Sequence, residues 1–393
     1  MKNLSVFCLA MFSVASVFAA DVNKLGVPSA TEIGRSVLNE GNCARLEALF
    51  AKAERGETIS IAALGGSITE GAGSVNVTNR WSSRTADWFE HTFPKARVVR
   101  TNAGIGATGS RLGAHRISKQ MASADPDFVT VDFSVNDHAG EHGDETMEGC
   151  VRQLLRLKSR PQVMLVSMLT DKGVNVQEEH LAVARYYSLP QLSVKDAVWP
   201  RIQSGEITWK DYSNDNVHPN VKGHPYVASL VTAFLERRLA AWRAGERSKT
   251  MEFPAKPLLS STYDHGTIKM ANEMKYSEQV GFVSAPARHG KKFDGVLAGT
   301  KPGDKLVFET DSPTLTLLYW MLRDDFGRAR VTVDGKEVTV LEGWFSATWG
   351  GKAMPIEIYR DRPGHHTVSI EIVPERAKES NGHRFELLAV LEQ

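Results

Sequence analysis

Ile61-Ala62-Ala63-Leu64-Gly65-Gly66-Ser67-Ile68-Thr69-Glu70-Gly71 is an apolar run that ends in two glycines and a hydroxyl. An unbroken apolar stretch suits a strand buried on both faces. The glycines permit a sharp turn at its end, presenting the Ser67 hydroxyl at the strand's carboxyl edge with its amide free to donate. Alone, such a turn is often only a connection. It also lacks the G-x-S-x-G elbow of α/β-hydrolases, because Thr69 fills the last position.

The same rhythm continues outward. Strands are predicted at Ile59 to Leu64, Ala96 to Thr101, Phe128 to Phe133 and Val163 to Met168, with a weaker one near Leu192. Between them, helices are predicted over Trp81 to Phe93, Arg111 to Met121, Glu145 to Lys158, Gln177 to Tyr187 and Lys222 to Arg243. Apolar strands alternating with helices imply an α/β fold, a parallel sheet covered on both faces. Five strands suit a flavodoxin-like order, with a site at their carboxyl ends. After Arg243 the pattern changes. Phe253-Pro254-Ala255-Lys256-Pro257 reads as a linker, and beyond it residues alternate with period two. Val331, Val333, Val338 and Val340 flank Asp334-Gly335, a strong hairpin signal, and Val368, Ile370 and Ile372 repeat the alternation. An all-β sandwich of jelly-roll type is expected there. The expected organisation is a signal peptide at 1–19, an α/β domain at 20–250 and a β-sandwich domain at 258–393.

Residues 1–19 carry Lys2, an apolar run from Leu4 to Phe18 and a small-residue cleavage site at Val17-Phe18-Ala19. The run is short for a bilayer span and contains three serines, which points to export, into the periplasm or beyond the cell, rather than to a membrane anchor. Cys8 would leave with it. Cys43 and Cys150 remain in the mature chain, too few for a disulfide scaffold and not spaced for zinc; the sequence places them neither together nor apart. The chain has 393 residues and a formal net charge of +1. Without a basic run, nothing suggests a nucleic-acid partner.

Three further stretches carry chemistry. In Asn214-Asp215-Asn216-Val217-His218-Pro219, the three-residue spacing lets Asp215 and His218 face one site. There His218 could take the serine proton while Asp215 fixes its tautomer. A polar turn or half of a metal site is the blander alternative, although no HxH or HxxxH partner lies nearby. Asn102-Ala103-Gly104-Ile105-Gly106-Ala107-Thr108-Gly109 offers backbone amides after the second strand, and Asn136 offers a side-chain amide after the third. Both could hold an oxyanion. His224 is a rival base, and Asp171 and Asp211 are rival acids. His115, His138, His142 and His180 read as surface or capping residues, and Asp137 as a helix cap.

Taken in order, these blocks resemble the SGNH (GDSL-like) hydrolase superfamily over about residues 58 to 235. The resemblance implies a flavodoxin-like sheet and a serine carboxylic-ester hydrolase needing neither metal nor organic cofactor. By position, Ser67 becomes the nucleophile, His218 the general base and acid, and Asp215 its orienting carboxylate. The oxyanion hole is the Ser67 amide, a glycine-loop amide and Asn136. A gapless alignment puts Ala107 at the loop donor position, with Gly106 beside it, and Gly106 is favoured. Gly-Gly-Ser replaces the usual Gly-Asp-Ser, and Ser134 replaces a usual glycine.

Export, a β-domain bearing Trp320, Trp344 and Trp349, and the lack of a long apolar lid together point to O-acyl, chiefly O-acetyl, esters on polysaccharide or oligosaccharide. A lipid-directed esterase, lysophospholipase or thioesterase would keep the same residues. A carbohydrate-binding protein with a decayed hydrolase domain would need an incomplete set of them.

Overall fold

The computed structural model describes residues 24–138, 142–286, 293, 295–347 and 350–393; the expected signal peptide and Trp349 lie outside them. The α/β half opens with α1 (Ala30–Ser36), β1 (Val37–Asn39) and α2 (Ala44–Glu54). It continues with β2 (Ile59–Gly65), α3 (Ser67–Glu70), α4 (Trp81–Thr92), β3 (Val98–Gly104), α5 (Ser110–Gln120) and β4 (Phe128–Asp132). Then come α6 (Gly143–Leu155), β5 (Gln162–Ser167), α7 (Gln177–Tyr186), β6 (Gln191–Ser193), α8 (Val194–Gln203), α9 (Trp209–Tyr212) and α10 (Gly223–Arg243).

The strands lie in the order β1-β6-β5-β4-β2-β3. β2 to β6 pair in parallel, and β1 is an antiparallel addition at the edge. Without β1, this is the flavodoxin-like order expected from the sequence. The chain leaves β2 for β3 on one side, then crosses to β4 on the other, so the switch point falls at the carboxyl end of β2. A crevice opens there in such sheets. Every residue of β2 is buried, because both sheet faces are covered. Ile59 and Ile61 enter one core with Phe50, Phe89, Val231 and Phe234 from α2, α4 and α10. Ala62 and Leu64 enter the other with Ile117, Met147, Val151 and Val183 from α5, α6 and α7. Cys43 belongs to the first core and Cys150 to the second, and both thiols are unpaired. The helices and strands read from the sequence recur within a few residues. Six elements of this half were not anticipated: α1, β1, α2, α3, α8 and α9. A capping box of Ser29 and Glu32 starts α1, and Pro200 lies inside α8.

The second half is a β-sandwich. β7 (Thr267–Met270), β9 (Val283–Ala285), β10 (Val296–Gly299), β12 (Leu315–Met321), β15 (Lys352–Tyr359) and β17 (Phe385–Glu392) form one sheet. β8 (Glu278–Val280), β11 (Lys305–Thr310), β13 (Arg328–Val333), β14 (Lys336–Glu342) and β16 (His366–Ile372) form the other. Asp334 and Gly335 have φ of 53° and 75°, as a two-residue hairpin turn requires. Val331 and Val333 point inward, whereas Val338 and Val340 are exposed. Trp320 is a buried residue of the sandwich, and Trp344 is partly buried.

The connection is not a loose linker. The Glu148 carboxylate on α6 accepts from the amides of Leu258, Leu259 and Ser260 at 2.5, 2.8 and 3.0 Å. Asp264 accepts from Arg152 and Arg156. The sandwich also meets the α/β half directly. Ile105 and Leu112 pack with Val296, Trp320 and Leu388, and Glu357 accepts from Arg111 at 2.7 Å.

Candidate active site

Ser67 is the first residue of α3, at the end of β2. The turn before it is tight: the Gly66 amide donates to the Asp132 carbonyl at 3.2 Å. A Cβ on Gly66 would lie 2.3 Å from Asn136 Oδ1, so the Asn136 amide sits directly against the Gly66-Ser67 turn. Likewise a Cβ on Gly104 would meet the Glu70 amide at 2.1 Å, which brings the end of β3 onto α3. Only glycine permits either approach.

His218 lies in the loop between α9 and α10, which is closed by a Ser213–Pro219 bridge. Within it, Asp215 Oδ1 accepts from the amides of Val217 and His218 at 2.8 and 2.7 Å. Trp209 Nε1 and Ser213 Oγ donate to the Asp215 carbonyl at 2.5 and 3.0 Å. Asp215 Oδ2 is 2.7 Å from His218 Nδ1, and His218 Nε2 is 2.8 Å from Ser67 Oγ. A carboxylate cannot donate, so Nδ1 carries the proton, leaving the Nε2 lone pair to accept from the serine hydroxyl. Burial alone would raise the Asp215 carboxyl. The backbone amides of His218 and Val217 and the His218 ring more than offset this and hold it below the usual carboxylate range. The Asp215 side chain is half-exposed, at 51%, so solvent weakens its hold on the imidazole.

The three backbone and side-chain donors named from the sequence come from three elements. The Ser67 amide heads α3 and has no intrahelical acceptor. Asn136 lies beside it. Gly106, the favoured loop donor, requires correction: its amide donates to Glu70 Oε2 at 2.7 Å and is therefore engaged. The neighbouring Ala107 has φ of 56°, and among the described residues its amide has no protein acceptor. Of the two loop amides, that of Ala107 is the one left free to donate.

Of the rivals, Asp171 meets the Asp215–His218 loop only through its amide, which donates to the Asn216 carbonyl at 2.9 Å, and the other two lie in separate networks. His224 is buried; its Nδ1 accepts from the Trp81 amide at 3.3 Å and its Nε2 donates to the Ala72 carbonyl at 3.0 Å. Burial lowers its pKa to about 4. Asp211 caps α9 through Thr208. His115 and His180 are buried, not surface residues. His115 Nδ1 is 2.6 Å from the Arg111 carbonyl, and His180 Nε2 is 3.1 Å from Asp137 Oδ2. Asp137 does cap a helix, but it is α5, through the Ser110 amide at 2.7 Å. Ser134 is buried and accepts from the Met168 amide at 2.8 Å. Among the described residues no group of three His, Cys, Asp or Glu side chains is placed to hold a metal ion.

Residues 63–225 match the model of the GDSL-like lipase/acylhydrolase family. Two crystal structures of a two-domain esterase active on acetylated mannans resemble the chain across both domains, one of them co-crystallised with mannopentaose. Each is 30% identical with a TM-score of 0.84 over 92% of this chain, covering 97% and 98% of the other. The chain belongs to the GDSL-like family. No match was found among curated protein sequences.

Several residues of this GDSL-like site were invisible to motif reading. Asp132 ends β4 beneath the Gly66-Ser67 turn, and its Oδ2 accepts from Thr69 Oγ1 at 3.2 Å. Asp132 Oδ1 and the Tyr212 hydroxyl, which feels the Asp132 charge, are both buried and have no partner among the described residues. Burial pushes the Asp132 carboxyl up to about 7, with the Thr69 bond opposing and the Asp137 charge adding. Arg116, buried on α5, donates to the Gly65 carbonyl at 3.0 Å and to the Ala103 carbonyl, tying β2 to β3. An apolar-strand pattern gives no signal for such cross-links.

Proposed function

We propose that this chain is an exported serine esterase that removes O-acyl groups, chiefly O-acetyl, from a polysaccharide or oligosaccharide. The observation that carries the proposal is the continuous relay from Ser67 through His218 to Asp215, at 2.8 and 2.7 Å, beside three amides able to receive an oxyanion. The likeness over 92% of the chain to an esterase active on acetylated mannans supports the carbohydrate substrate.

The chemistry follows from the proton positions. Ser67 Oγ attacks the ester carbonyl while His218 Nε2 takes its proton, and Asp215 stabilises the imidazolium. The developing oxyanion is received by the Ser67 and Ala107 amides and Asn136 Nδ2. Collapse breaks the ester C–O bond, and the same imidazolium protonates the departing sugar hydroxyl. Water then attacks the acyl-serine, giving its proton to His218, which returns it to Ser67 as acetate leaves. No step calls for a cofactor. In this reading residues 20–250 carry the chemistry, the sandwich at 258–393 buttresses the glycine loop through Ile105, and residues 1–19 direct export.

Incubating the purified protein with acetylated glucomannan tests the proposal, with released acetate as the readout and Ser67→Ala as control. Acetate release dependent on Ser67, and a preference for acetyl over decanoyl nitrophenyl esters, are expected. A preference for long acyl chains would redirect the assignment to lipid esters.

A further inference from the structure

An oxyanion hole works only if its donors are fixed relative to one another before the charge develops. Here the three donors sit on separate elements: α3, the loop between β3 and α5, and the turn after β4. The middle one, Ala107, is the least secure by its local structure. It lies in a segment without regular hydrogen bonding and has a positive φ that alanine rarely adopts. Such a conformation persists only where the surroundings over-determine it.

The surroundings include two carboxylates. Glu70 lies on the same short helix as Ser67, and its Oε2 accepts from the Gly106 amide at 2.7 Å. Asp137 directly follows Asn136, and its Oδ1 accepts from the Ser110 amide at 2.7 Å. The two bonds fall on either side of Ala107. Each connects the middle donor to the element that carries one of the others. A charged acceptor strengthens a hydrogen bond to an amide roughly two-fold over a neutral one. Asp137 is itself fixed, since its second oxygen lies 3.1 Å from His180 Nε2 and both side chains are almost fully buried. Within the loop, Thr108 Oγ1 donates to the Ile105 carbonyl at 2.7 Å. Neither carboxylate belongs to the Ser67–His218–Asp215 relay.

We infer that Glu70 and Asp137 are positioning residues of the oxyanion hole, a pair of carboxylates that suspend the Ala107 amide between the Ser67 amide and Asn136. Glu70 also commits the Gly106 amide, and so decides which loop amide faces the reaction. The inference rests on the esterase reading given above.

The full chain is assayed on nitrophenyl acetate, with kcat and KM measured separately, alongside its affinity for an alkyl boronic acid, which forms a tetrahedral adduct on an active serine. Glu70→Ala is expected to lower kcat by ~100-fold, the scale of an ~1 Å misplacement, with KM changed less than about three-fold. Boronate affinity should fall in step with kcat. Glu70→Gln retains an acceptor oxygen and should recover most of the activity. Glu70→Asp keeps the charge but withdraws the acceptor by one methylene, and should lose ~10-fold or more in kcat. Asp137→Ala should behave as Glu70→Ala does. If an alanine variant does not fold, the mild Glu70→Asp change decides. Wild-type kcat in that variant, a loss confined to KM, or a Gln variant as impaired as the alanine would overturn the inference. Absence of any Ser67-dependent turnover in the wild type would instead remove the esterase reading on which it stands.

Discussion

Replacing Asp215 by asparagine and by alanine should rank in an order that only the relay explains. Asp215 Oδ2 lies 2.7 Å from His218 Nδ1. At that separation a unit charge pair is worth between about 1.5 kcal/mol in bulk water and ~6 kcal/mol at an effective dielectric constant of 20. The carboxylate is half-exposed, so about 3 kcal/mol is a reasonable working figure, or ~100-fold in rate. Alanine should cost about that much, since water can reach Nδ1 and the imidazole keeps access to both tautomers. Asparagine should be worse. Its oxygen can still take the Val217 and His218 amides, which turns its NH2 toward Nδ1. The ring must then accept there and carry its proton on Nε2, where it cannot act as a base. A loss of ~1000-fold or more is expected, of the order seen when the wrong tautomer is imposed on such a relay. The assay is kcat/KM on nitrophenyl acetate between pH 6 and 9, with raised pH failing to rescue the asparagine variant. Equal or higher activity in Asp215→Asn than in Asp215→Ala would refute the tautomer argument.

Asn136→Ala should reduce kcat by ~100- to 1000-fold with little change in KM, as for loss of one oxyanion donor; single-turnover kinetics would locate the loss in acylation. Asp264→Asn should destabilise the chain by about 3 kcal/mol, because the buried Arg152 loses its charge partner; urea unfolding measures it. Burial raises the Asp264 carboxyl, but bonds from Arg152 and Arg156 more than offset this and hold it below its ordinary 3.8. Its contribution is therefore complete above pH 3.8 and fades as pH falls through the lower folded value. Asp132 behaves oppositely. With the folded carboxyl raised from 3.8 to about 7, the folded state holds the extra proton, so stability declines as pH climbs between those values. Asp132→Asn should accordingly raise the unfolding midpoint at pH 8 and change it little at pH 4, the full gap corresponding to at most ~4 kcal/mol. An equal change at both pH values would mean that Asp132 does not titrate in this range.

The parallel sheet was legible because β2, β4 and β5 are nearly continuous apolar runs and its helices are periodic. β1 is three residues long, too short for periodicity to register; β6, equally short, registers only as a weak apolar run near Leu192, and Pro200 hides α8. The sandwich hairpin was legible in Asp334-Gly335, where the turn itself demands those residues. Ser67, Asn136, Asp215 and His218 could be named because each follows a strand or precedes a helix in a recognisable block. The loop amide could not be chosen that way. Gly106 and Ala107 have identical N–H groups, and what separates them is a carboxylate 36 positions away in sequence. His180 was misread for the same reason: its partner, Asp137, is 43 residues distant, a pairing produced by packing rather than by spacing.

The central claim is that Ser67 is the activated nucleophile. Intact-mass and peptide analysis after treatment with a fluorophosphonate tests it directly. One adduct per chain is expected, on Ser67, lost in Ser67→Ala and formed far more slowly in His218→Ala. No adduct, or modification of a different serine, would contradict the account.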